Sequence, residues 1–87
     1  MIQDMTLDEV RAELLRRGVA ASLRGRGASE FVFAEHDGRA IELSRHHDQW
    51  WVELWEASAD EDAPPIKDVF FPSAVEALRE ISAWLLS

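Results

Sequence analysis

The alternation of apolar and polar positions divides the chain into two helical stretches at its ends and a set of extended segments between them. Leu7, Val10 and Leu14 recur at helical spacing and give one apolar stripe. Thr6-Leu7-Asp8-Glu9 has the pattern of a capping box, in which the Thr6 hydroxyl accepts from the Glu9 amide and the Glu9 carboxylate returns to Thr6. Met5 and Val10 occupy the positions of a hydrophobic staple. Arg16 and Arg17 complement the carboxyl end of the helix dipole, and Gly18 is placed to close the helix with positive φ.

From Val19 the period shortens to two. Val19–Leu23 predicts a strand with Val19, Ala21 and Leu23 on one face, and residues 24–29 read as a loop. Glu30–Glu35 predicts a second strand with Phe31 and Phe33 on one face, and Arg39–Arg45 a third with Ile41 and Leu43 on one face. A three-residue turn, His36-Asp37-Gly38, would pair Phe33 with Ile41, whereas a two-residue Asp37-Gly38 turn would set Phe33 opposite Glu42. A slip of one residue flips every side chain, so the first register is expected. The fourth strand, Gln49–Glu56, turns Trp50, Val52 and Leu54 inward and Trp51, Glu53 and Trp55 outward.

Residues 57–66 contain three consecutive acids, two prolines and no large apolar residue until Ile66, which predicts an acidic loop expected to be mobile. Val69-Phe70-Phe71 adds a short extended segment. Ser73-Ala74-Val75-Glu76 repeats the capping-box pattern, and Val75, Leu78, Ile81 and Leu85 form the predicted buried stripe of a second helix running to about Leu86. The expected fold is a single α+β domain over residues 1–87. It is a four-stranded antiparallel meander with the N-terminal and C-terminal helices packed on one face, in the order α-β-β-β-β-α.

Composition narrows the functions this fold could serve. The 87 residues make one domain, which hides only about 60% of its unfolded surface. There is no cysteine, so disulfides, thiolate nucleophiles and cysteine metal sites are excluded. No apolar run approaches the roughly 20 residues that span a bilayer, and Met1-Ile2-Gln3-Asp4-Met5 does not resemble a signal peptide, so a cytoplasmic location is expected. Eight arginines to one lysine suit a GC-rich bacterial source.

The net charge of −8 is uneven. Residues 1–29 carry five arginines against four acids, and residues 30–87 carry four basic residues against thirteen acids. That imbalance disfavours nucleic acid and favours a basic protein partner.

The expected outer face of the sheet carries Ala20, Ser22, Glu30, Val32, Ala34, Ala40, Glu42, Trp51, Glu53 and Trp55. Two tryptophans on an uncovered face are costly in a monomer and frequent in binding hot spots. Trp51 and Trp55, flanked by Glu42 and Glu53, are therefore the candidate partner-binding residues, for another protein or a second copy of the chain. The bland alternative is that the first helix, the 57–66 loop or the C-terminal segment covers them.

The remaining signals carry less chemistry. His46-His47-Asp48 and His36 lie in turns at opposite ends of the third strand, about 23 Å apart at roughly 3.3 Å per residue, so they cannot share a metal. His46 and His47 point apart if extended, and too few ligands gather for a structural zinc. Asp60-Glu61-Asp62 lacks the alternating ligands of a calcium loop. No serine sits beside a positioned base, the chain has no tyrosine, and neither a catalytic residue nor a cofactor is assigned. The competing class is a small enzyme or ligand-binding domain with a pocket near Arg24, Arg26 and the His46-His47 turn. Arg24-Gly25-Arg26-Gly27 could cradle a phosphate, although no P-loop follows.

Leu14-Leu15-Arg16-Arg17-Gly18-Val19, Arg26-Gly27-Ala28-Ser29 and His36-Asp37-Gly38-Arg39 resemble segments of the small bacterial toxin ribonucleases of HicA type, over residues 12–46. The order of helix, three strands and helix is similar to that family's double-stranded-RNA-binding fold. The resemblance implies a catalytic histidine directly after a Gly-Ser pair, but here Ser29 is followed by Glu30. It also implies a basic helix start that clamps phosphate, whereas the second helix opens Ser73-Ala74-Val75-Glu76. A degenerate fold of that kind is the third reading.

Overall fold

The computed structural model describes residues 4–56, 60 and 62–87. Helix α1 (Leu7–Arg16) leads into five strands, β1 (Ala20–Arg24), β2 (Phe31–His36), β3 (Arg39–His46), β4 (Gln49–Trp55) and β5 (Lys67–Phe71), and helix α2 (Ala74–Leu85) closes the order. The strands form one antiparallel meander, β1-β2-β3-β4-β5. The α+β class, the antiparallel sheet and the terminal helices agree with the sequence reading. The strand count does not, because Lys67–Phe71 pairs along β4 and adds a fifth.

Both helices are capped as their sequences require. The Thr6 hydroxyl accepts from the Glu9 amide at 3.1 Å, and the Glu9 carboxylate accepts from the Thr6 amide at 2.9 Å. At α2 the Ser73 hydroxyl accepts from the Glu76 amide, but the Glu76 carboxylate takes the Ser73 hydroxyl rather than the amide. The first orphan amide of α2, Ala74 N–H, instead donates to the Asp4 carboxylate. The same carboxylate accepts from the Trp50 indole at 2.6 Å, so Asp4 ties the chain leading into α1 to β4 and α2. Burial pushes the Asp4 pKa up, but bonds from Trp50, Ala74 and Met5 with the charge of Arg45 outweigh it and hold the group below 3.8.

One core lies between the sheet and the two helices. Val10 and Leu14 of α1, and Ala74, Ala77, Leu78, Ile81 and Leu85 of α2, join Val32, Ala34, Ile41, Leu43, Trp50, Val52 and Leu54 from the sheet. The expected stripe of α2 needs one correction. Val75 is 59% exposed, and Ala74 and Ala77 take buried positions beside the expected Leu78, Ile81 and Leu85, so only the first part of the helix is buried through small residues.

The larger correction concerns β2. The turn is the two-residue Asp37-Gly38 type, with His36 opposite Arg39 and Phe33 opposite Glu42. Asp37 and Gly38 both have positive φ, 52° and 82°, the backbone that short hairpin turns need and that Asp-Gly supplies at low cost. Val32 and Ala34 therefore face the core with no exposure, and Phe31 and Phe33 stand on the opposite face. The expected register treated phenylalanine as a core marker. Under α1, which crosses β1 and β2, the inward positions are instead filled by smaller side chains.

Candidate protein-interaction face

Strand alternation sends a second set of side chains to the face opposite the helices. Two cross-strand rows of that face are set by the register. One reads Ser22, Phe33, Glu42, Glu53, Asp68, and the next reads Arg24, Phe31, Ser44, Trp51, Phe70. The expected outward positions of Trp51, Glu53, Trp55 and Glu42 agree with this register. Val32 and Ala34, expected among them, belong to the core instead. Phe31, Phe33, Asp68 and Phe70 belong to the face but were not anticipated. The deciding signals were the Asp37-Gly38 dipeptide, weighed above against a three-residue turn, and the Val69-Phe70-Phe71 segment, which pairs along β4 as a full strand.

The two tryptophans differ in their surroundings. Trp51 stacks on Phe70 with ring centroids 5.7 Å apart and planes within 6°, and its indole donates to the Asp68 carboxylate at 3.1 Å. The His46 ring lies 5.9 Å from Phe70 and 6.3 Å from Trp51. Trp55 is partly covered: its indole donates to the Ala63 carbonyl at 3.0 Å, and its own carbonyl accepts from the Trp84 indole. The alternative of cover by the acidic loop therefore applies in part to Trp55, through Ala63, whereas Trp51 packs against β5. Residues 57–59 and 61 of the loop read as mobile lie outside the described residues.

Between the aromatics runs a line of carboxylates. Glu42 is directly opposite Glu53, and Glu53 is directly opposite Asp68. Among the described residues no ion pair involves any of the three. Burial raises the Glu42 pKa, which the charge of Arg24 partly opposes. Burial raises that of Glu53 as well, and the charges of Glu42 and Asp68 add to it. Two arginines border the line. Arg24 lies over the Phe33 ring at 4.0 Å, while Arg45 lies over Trp50 and reaches Asp4 at 3.5 Å.

A cleft of about 240 Å³ opens on this face, with Phe31, Glu42, Ser44, Arg45, His46, Trp51 and Glu53 among its lining. Of the residues expected around a ligand pocket, His46 lines it, while Arg24, Arg26 and His47 do not. His47 has φ 59° rather than the extended backbone assumed for it, and its ring meets that of His46 edge-on at 4.9 Å. Among the described residues no three His, Asp or Glu side chains gather as metal ligands, and no helix is long and apolar enough to cross a membrane.

Fold and face together define a two-layer α+β domain with helices on one side of the sheet and an aromatic, acidic surface on the other. The order α-β-β-β-β-β-α departs from the helix, three strands and helix of the double-stranded-RNA-binding fold. No family model, curated protein or solved structure matches the chain.

Proposed function

We propose that this chain is a non-enzymatic interaction module whose outer sheet face binds another protein or a second copy of the chain. The supporting observation is that Phe31, Phe33, Trp51, Trp55 and Phe70 share, with three aligned carboxylates, a face on which neither helix packs. Aromatic side chains contribute most to binding hot spots, and like charges directly opposite one another destabilise the free sheet. The cost makes sense if a partner compensates it. The acidic balance of residues 30–87 favours a basic partner, as for a small immunity protein, antitoxin or inhibitor that neutralises a basic target.

The test compares three tryptophan substitutions. Trp50→Ala removes a fully buried side chain and is expected to cost about 3–5 kcal/mol. Trp51→Ala is expected to cost about 1 kcal/mol or less, and Trp55→Ala somewhat more through its Ala63 contact. Both outer variants should weaken association measured by sedimentation across concentrations or by titration with a basic partner. If Trp51→Ala and Trp55→Ala unfold as Trp50→Ala does, the face is structural and the proposal fails.

A further inference from the structure

The cleft on the outer face is bordered by two aromatic residues. Phe31 and Trp51 sit on β2 and β4, with Ser44 of β3 between them in the same cross-strand row. Two strand spacings set the backbones of the two aromatic residues about 9.6 Å apart, and the serine between them is short. That backbone spacing leaves room for one planar group between the two aromatic side chains, the kind of approach a cation–π contact needs within roughly 6 Å of a ring. The far side of Trp51 is already stacked on Phe70, so the indole is braced. Glu42 and Glu53, which line the same cleft, sit in the adjacent row, one pleat repeat along β3 and β4, while Arg45 of the lining holds its guanidinium over Trp50 and toward Asp4.

Resting on the interaction-face reading, we infer that this slot takes the arginine side chain of a protein partner, its guanidinium between Phe31 and Trp51 and its N–H groups toward Glu42 and Glu53. The chain itself contains a version of this arrangement. The Arg24 guanidinium stacks on Phe33 at 4.0 Å, and its charge acts on Glu42. A flat, weakly hydrated guanidinium suits an aromatic slot ending in carboxylates, and its forked donors match paired carboxylate oxygens. A lysine ammonium does neither as well. A cation there would also relieve the repulsion along Glu42, Glu53 and Asp68, for which the described residues offer no ion pair.

The experiment titrates the protein with hexa-arginine, hexa-lysine and free arginine at low salt. It reads the affinity by calorimetry and the indole N–H resonances by nuclear magnetic resonance. Hexa-arginine should bind about tenfold more tightly than hexa-lysine and shift the Trp51 indole signal. Glu53→Gln should weaken it at least about fivefold, and Ser44→Phe, which fills the slot from a surface strand position, should abolish the preference for arginine. Asp8→Asn on α1 removes one charge from the opposite side of the molecule and should change little. Equal binding of the two peptides, or binding indifferent to Ser44→Phe, would reduce the effect to bulk charge and overturn the slot. Free arginine binding as well as the peptide would overturn the protein partner in favour of a small guanidinium ligand. If hexa-arginine does not bind while Trp51→Ala still disrupts self-association, the slot fails but the interaction face stands.

Discussion

Replacing Glu53 with glutamine should make the protein more stable at neutral pH, because the native carboxylate lies between two others. Glu42 is directly opposite on one side and Asp68 on the other. Each like-charged cross-strand pair costs roughly 0.2–1 kcal/mol, so neutralising the central member relieves two such costs, about 1 kcal/mol once partial exposure is allowed for. In a domain of this size that corresponds to a rise in melting temperature of about 4–8 °C. The pH dependence identifies the cause. Burial and the two neighbouring charges raise the Glu53 pKa above the 4.5 of an unperturbed carboxyl. Between that value and the raised one the folded chain holds more protons than the unfolded chain, so this group's contribution to stability falls as pH rises. Below the unperturbed value both states are protonated and the cost disappears. Urea unfolding of the two proteins should therefore give a gain for Glu53→Gln at pH 7 that shrinks toward zero near pH 4. Glu42→Gln should gain less, since Arg24 already offsets part of its repulsion. No gain at pH 7, or a gain independent of pH, would refute the electrostatic account. A stabilised variant that also loses partner binding would show the usual conflict between stability and a functional surface.

Two further outcomes bear on the scaffold that holds the face. Asp4→Ala leaves the part-buried Trp50 indole and the Ala74 amide without their acceptor, and should lower unfolding free energy by about 1–3 kcal/mol. Because the Asp4 pKa is lowered, that stabilisation is present above 3.8 and lost as pH falls through the folded value. Acid titration of stability should therefore show a shallower low-pH limb in the variant. Gly25→Ala should destabilise by more than about 1 kcal/mol. Gly25 has φ 81°, and an added Cβ would lie 2.4 Å from the Ser29 carbonyl oxygen, a clash visible as a lowered melting temperature.

Local signals carried the helices, the parity of β4 and the closing of α1. The Thr6 capping box and the spacing of Val10 and Leu14 each depend on residues within two turns, and chain chemistry alone specifies them. Trp50 and Trp51 were separable for the same reason: a strand has period two, and Val52 and Leu54 mark which parity is inward. Whether Phe31 and Phe33 belong to the core could not be read in that way. Their strand alternates Phe-Val-Phe-Ala, apolar on both faces, so hydrophobicity does not choose between them. The choice rests on the Asp37-Gly38 turn and on the space left under α1, where Ala34 fits. Glu42, Glu53 and Asp68 came into line, and Ser44 came between Phe31 and Trp51, only when register joined strands far apart in the chain. Spacing along a strand is local, but the neighbours across it depend on how the whole sheet closes against its helices.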